Sequence, residues 1–129
     1  MRFLKFSLGA IVLLVLFACT NPPRFLLLNN SGHGIAVEQG EKNILIEVGQ
    51  YAELTFDPSL ALLWDGKRHN YQWRYPLPPS EYMEFGKPSE RFAVSLESDF
   101  RIYARKIVDG KPSDNLPSQP PGFPFVSLN

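Results

Sequence analysis

Few residues in this chain belong to types that carry reactive chemistry. There is one cysteine, Cys19, and there are two histidines, His33 and His69. Ser31 stands two residues before His33 in Ser31-Gly32-His33-Gly34, which invites comparison with a nucleophile and its base. That chemistry needs an elbow such as Gly-x-Ser-x-Gly and a third group to orient the imidazole, and the sequence offers neither. Neither histidine belongs to a metal-ligand spacing. The carboxylate pairs Glu38/Glu41 and Glu81/Glu84 read as exposed strand ends. Gly32 and Gly34 lack the helix and the lysine of a phosphate loop. No catalytic residue, metal ligand or cofactor is therefore expected, and the chain is not expected to be an enzyme.

Cys19 has a different context. It ends an apolar run from Phe6 to Ala18 that only Ser7 and Gly9 interrupt, and the basic residues Arg2 and Lys5 precede that run. Basic start, greasy middle and a small residue before the cut are the three parts of an export signal. A bilayer-spanning helix needs about 20 apolar residues, more than this run supplies. Asn21-Pro22-Pro23 then opposes any helical continuation. The competing readings are a permanent span and a plain secretory signal with an incidental cysteine.

Leu16-Phe17-Ala18-Cys19 resembles the lipobox of bacterial lipoproteins. Leu16 and Ala18 fit that pattern, whereas Phe17 is larger than the residues usual at its position. The resemblance implies cleavage between Ala18 and Cys19, diacylation of the Cys19 thiol and acylation of the new amino terminus. Each buried acyl CH₂ contributes about 0.8 kcal/mol, so two or three chains on one residue hold far more firmly than a single myristoyl group. Thr20 is not the aspartate that in many such proteins signals retention in the inner membrane. The expected location is the bacterial cell envelope, at the outer membrane and facing the periplasm.

Residues 1–18 then form a signal, 19–24 a lipidated tether, 25–108 a folded body and 109–129 a tail. The signal takes two basic residues with it, so a chain with 13 basic and 13 acidic side chains becomes slightly acidic. No basic patch suits nucleic acid. No second cysteine can form a disulfide, so the body must hold by its core, to which ten Phe, five Tyr and two Trp contribute. Pro112, Pro117, Pro120, Pro121 and Pro124 argue against regular strand or helix in the tail.

The body reads as strands. Apolar residues alternate at Ile35/Val37, Ile44/Ile46/Val48, Ala52/Leu54/Phe56, Leu60/Leu62/Trp64, Tyr71/Trp73/Tyr75, Phe92/Val94/Leu96 and Phe100/Ile102. Turn signals separate them at residues 29–32, Gly40, Gly49, Asp65-Gly66 and the proline cluster 76–79. The expected fold is all-β: a small antiparallel β-sandwich, or a partly open barrel, with an irregular Pro-rich C-terminal tail. A two-residue turn at Asp65-Gly66 pairs Trp64 with Lys67, Leu62 with His69 and Leu60 with Tyr71. A three-residue loop at Glu97-Ser98-Asp99 pairs Leu96 with Phe100 and Val94 with Ile102, with Asp99 in the left-handed region.

Three features could meet a partner. Trp64, Tyr71, Trp73 and Tyr75 could stack on sugars, yet their parity places them with Leu60 and Leu62, toward the core. Arg101, Tyr103 and Arg105 form a stripe on the side opposite Ile102 that could contact an acidic partner. The tail could dock in another protein's groove or fold back over an open edge of its own sandwich. Folding back is favoured, since Phe123, Phe125 and Val126 would otherwise expose much apolar area. The expected function is a non-enzymatic interaction or envelope-structural module, anchored to the membrane by acyl chains and meeting another envelope protein. The alternative is a glycan- or cell-wall-binding domain using exposed aromatics such as Trp73.

Overall fold

The computed structural model describes residues 23–73, 78–85 and 90–129. Among the described residues eleven strands are defined: β1 (Arg24–Asn29), β2 (Ile35–Gln39), β3 (Lys42–Ile46), β4 (Tyr51–Thr55), β5 (Ser59–Trp64), β6 (Lys67–Gln72), β7 (Met83–Glu84), β8 (Arg91–Leu96), β9 (Ile102–Arg105), β10 (Ile107–Val108) and β11 (Lys111–Pro112). One sheet runs β4-β1-β8, with β7 and β9 both paired to β8, and the other runs β3-β2-β5-β6. Among the described residues the two do not join into a closed barrel. Their inward residues form one core: Phe25, Leu27, Leu54, Phe92, Val94 and Leu96 from the first sheet meet Ile35, Val37, Leu60, Leu62 and Tyr71 from the second. The expected all-β sandwich is the fold of this chain.

The β5–β6 hairpin has the expected register, Trp64 opposite Lys67 and Leu60 opposite Tyr71. Asp65 (φ 54) and Gly66 (φ 67) are both left-handed, as a primed two-residue turn requires. The β8–β9 hairpin differs from expectation. Leu96 pairs with Ile102 and Val94 with Ala104, two residues away from the register read on sequence. Residues 97–101 form the loop, and Phe100 (φ 58), not Asp99, takes the left-handed position. The gain that offsets this strain is a ring contact, Phe100 stacking on Trp64 at 4.6 Å. A shift of two preserves parity, so the apolar face survives the error.

Two further corrections concern β1 and the tail. Phe25, Leu26 and Leu27 are all buried, so β1 shows no alternation and its sequence carries no period to read. It pairs antiparallel with β4 but parallel with β8, making the sheet mixed and not purely antiparallel. Arg24, counted with the tether on sequence, already pairs with Thr55 and Arg91. The tail includes regular pairing: Ile107 opposes Pro112 and Val108 opposes Lys111 in a hairpin whose β11 crosses β1 and β8. A two-stranded ribbon is all edge, and that is where a proline is tolerated. Under this ribbon the outward face of the first sheet is also dry, with Leu26, Ala93 and Ser95 buried.

Asn29 ties the sheets together at one end of the sandwich. It is fully buried, and its Nδ2 donates to the carbonyls of His33 (2.6 Å) and Ile46 (2.9 Å). Its Oδ1 accepts from the Ser31 N–H at 3.1 Å, and its backbone bonds Gln50 and Gly49. Every polar atom of this buried side chain is thus satisfied. Replacing Asn29 with Ala strands the Ile46 and His33 carbonyls, and is expected to lower stability by about 2–3 kcal/mol in urea denaturation. A loss below about 0.5 kcal/mol would show that water or repacking satisfies these groups instead.

Candidate functional site

The candidate contact residues Trp73, Arg101, Tyr103 and Arg105 lie along one margin of the sandwich, where β9 and β6 are the outermost strands of their sheets. The tail occupies that margin. Gln119 turns its side-chain amide onto β9: Ala104 N–H donates to Oε1 at 2.7 Å, and Nε2 donates to the Ala104 carbonyl at 3.0 Å. Further along, Ile102 and Phe125 exchange both backbone hydrogen bonds, at 2.9 and 3.1 Å. The chain then reaches the other sheet. Leu128 N–H donates to the Asn70 carbonyl at 2.7 Å, Asn70 N–H donates to Asn129 Oδ1, and Asn129 Nδ2 donates to the Arg68 carbonyl. One segment thereby covers unpaired backbone on both sheets.

Aromatic rings fill the space beneath it. Phe125 lies edge-on to Trp73 at 5.0 Å and to Tyr71 at 6.2 Å, and Phe123 lies edge-on to Trp73 at 5.9 Å. Tyr71 is held from its other side, its hydroxyl donating to the Phe100 carbonyl at 2.8 Å. Burial first, and then the charge of Asp99, push the Tyr71 phenol well above the ordinary tyrosine range. Tyr82 adds a bond to the tail by donating to the Ser118 carbonyl at 2.7 Å.

The sequence candidates fall unequally on this margin. Trp73 is 5% exposed and packed against the tail, so it is a core ring and not a free contact residue. Trp64 and Tyr71 are buried with it, and Tyr75 lies outside the described residues. Of the row of rings imagined as a sugar platform, Trp64, Tyr71 and Trp73 are therefore not presented to solvent. Arg105 is 3% exposed, which corrects the expected exposed stripe. Its parity is as expected, but the residues after β11 cover it: Nη1 donates to the carbonyls of Ser113 (2.6 Å) and Asp114 (3.1 Å), and Nη2 meets Glu97 at 3.1 Å. What remains accessible is Arg101 with half-buried Tyr103. Cys19 and Ala18 lie outside the described residues.

Ser31 and His33 are not arranged as nucleophile and base. Ser31 Oγ lies 2.6 Å from Asn29 Oδ1 and contacts the His33 backbone, while the His33 ring faces Phe100 at 5.8 Å. His69 lies flat on Trp64 at 3.6 Å, so the two imidazoles flank the Phe100–Trp64 stack. Among the described residues no group of three or more His, Cys, Asp or Glu side chains is arranged to hold a metal ion. A cleft of about 360 Å³ at the other end of the sandwich is lined by Phe25, Phe56, Glu38 and Asp57. Glu38 is already paired there with Arg68 at 3.0 Å, and Asp57 accepts the Ser59 N–H.

Sequence reasoning missed Gln119, Leu128 and Asn129. The Gln119 amide also donates to the nearby Pro117 carbonyl at 3.0 Å, and no signal in the sequence marks it as bonding a distant strand. What the margin can do chemically is hold an extended segment, through edge-strand donors and acceptors above an aromatic floor. Comparison with known proteins finds no match: no family model fits the chain, and no curated protein or solved structure is similar to it.

The accessible part of the margin carries one electrostatic signature. Desolvation pushes the Asp99 carboxyl up, but the Tyr103 hydroxyl (2.5 Å), the Arg101 N–H and the Arg101 charge outweigh it and hold the group below the ordinary carboxylate range. The same bond raises the Tyr103 phenol. A depressed carboxylate favours the folded loop above its unfolded value and loses that contribution as pH falls through its folded one. Carbon-detected NMR titration is expected to find Asp99 titrating low, and Tyr103→Phe is expected to raise it toward the ordinary value. An unchanged Asp99 titration in Tyr103→Phe would remove the hydroxyl as the cause.

Proposed function

We propose that this chain is an exported bacterial lipoprotein, anchored through an acylated Cys19, whose sandwich is a non-enzymatic interaction module of the cell envelope, at the outer membrane and facing the periplasm. The observation that carries the anchoring is Leu16-Phe17-Ala18-Cys19 at the end of a short apolar run, with the chain's only cysteine where acylation needs it. Strand β1 begins at Arg24, so few residues separate the acyl chains from the folded body. Strand directions set the start of β1 at the same end as Gly40, Asp57 and Glu90. The loops at 30–34, 47–50 and 97–101 lie at the opposite end of the sandwich.

The interaction role is supported by the tail margin, where the fold presents edge backbone and rings to an extended segment. The glycan-binding alternative is weaker because Trp64, Tyr71 and Trp73 are core residues. Radiolabelled palmitate feeding tests the anchoring directly. The parent chain is expected to take up label and to stay in the membrane pellet through an alkaline wash, and Cys19→Ser to do neither. Equal pelleting of both forms with no label in either would leave the anchoring reading without support.

A further inference from the structure

The end of the sandwich where β1 begins is also the end from which the chain continues toward Cys19. Pro23 accepts a backbone hydrogen bond from Phe56 N–H at 2.9 Å, which fixes that exit beside the end of β4. Only Thr20, Asn21 and Pro22 separate Pro23 from Cys19. An extended chain spans at most about 3.3–3.6 Å per residue, so these four steps reach no farther than about 14 Å. A six-residue strand such as β1 is itself about 20 Å long. The tether is therefore too short for an acylated chain to rest its opposite end on the bilayer.

Two large apolar side chains are exposed at the near end. Phe85, 61% exposed, follows Glu84, which pairs with Arg91 at the start of β8. Val108, 56% exposed, precedes the Asp109-Gly110 turn of the β10–β11 ribbon. Arg91 joins the two places: its Nε donates to Glu84 Oε1 at 3.0 Å, and its guanidinium lies beside Gly110. Nη1 of the same guanidinium meets Glu53 at 2.9 Å, so these charges are already paired. The other charged side chains at this corner, Arg24 and Lys111 against Glu90 and Asp109, balance in sign. Either exposed apolar residue alone needs no explanation. Both stand beside the one point that the tether holds close to lipid. Leu45 and Val48 are comparably exposed, but they lie toward the opposite end.

We propose that this corner of the sandwich rests on the bilayer, with Phe85 and Val108 entering the headgroup layer and Arg24 and Lys111 level with the phosphates. The partner is a lipid surface, and a zwitterionic one suits it, because the charges of the corner cancel. Apolar groups at such a boundary sink about 5–10 Å, a depth that side chains of this size can reach. The acyl chains supply the affinity, and the corner supplies the orientation. A tether this short holds the corner at an effective concentration on the order of millimolar, so two side chains are enough where a free domain would not bind. The loops at 30–34, 47–50 and 97–101 then face the periplasm, open to a partner.

The inference rests on acylation of Cys19, which palmitate labelling decides by itself. Should that labelling find no acyl group, the Cys19 thiol is coupled to a maleimide lipid, which keeps the tether length and leaves the orientation testable. The test places the full chain in phosphatidylcholine nanodiscs doped with a gadolinium-chelating lipid and reads paramagnetic broadening by NMR. The amides of Phe85 and Val108 are expected to relax several-fold faster than those of Leu45 and Val48. Phe85→Ser combined with Val108→Ser is expected to even out that difference while the β8 amides keep their shifts, since both side chains are exposed. Equal broadening at the two ends of the parent chain, or stronger broadening at Leu45 and Val48, would overturn the proposal. An undiminished difference in the double variant would overturn it too, by assigning the orientation to the tether alone.

Discussion

Closure of this sandwich depends on two rings delivered from the far end of the chain. Trp73 sits at the end of β6, where its sheet stops, and Phe123 and Phe125 press on it from outside. Without them Tyr71 and Trp73 would face water along the margin, and Ile102 and Asn70 would offer unpaired backbone. Burying a large aromatic side chain is worth about 1.5–3 kcal/mol relative to leaving it exposed, comparable with a good part of a small domain's net stability. The tail is therefore continuous with the core, although its sequence reads as a separate irregular appendage.

The ribbon that precedes this closure explains a second feature. A sheet with one buried face normally shows polar residues on the other, yet β1 and β8 place Leu26, Ala93 and Ser95 outward and all are buried. The β10–β11 hairpin lies over them, and the residues that follow accept hydrogen bonds from Arg105. A buried guanidinium is tolerable only when paired and bonded, and Glu97 with the Ser113 and Asp114 carbonyls meets that condition for its terminal nitrogens. The Arg105 Nε and Ser95 Oγ atoms are buried without a partner among the described residues.

What the sequence disclosed follows the physics of each element. Strands whose large apolar residues lie on one face alternate, so β2, β4 and β5 could be placed from Ile35/Val37, Ala52/Leu54 and Leu60/Leu62/Trp64, and β8 from Phe92/Val94/Leu96 because its covered outward residues, Ala93 and Ser95, are small. A two-residue turn fixes register outright, and Asp65-Gly66 did so for β5 and β6. Longer loops leave the register to side-chain packing: Phe100 leaves the strand to stack on Trp64, which no alternation rule anticipates. Strand β1 hid because both of its faces are buried. Of the candidate contact residues, parity placed Arg105 on the correct face but could not reveal the ribbon above it. Trp73 was correctly weighed toward the core, while the partner that covers it, Phe125, lies 52 positions away and is joined only by tertiary contacts.

The account's central claim is that the segment ending the chain is an integral part of the folded sandwich. Native-state hydrogen exchange followed by NMR tests it most directly, at the amides of Ile102, Ala104, Phe125 and Leu128. The account predicts that Ile102 and Phe125 exchange as slowly as the central β8 amides, with Ala104 protected by the Gln119 side chain. Exchange of Phe125 and Leu128 at the rate of an unstructured peptide, with β8 still protected, would contradict it.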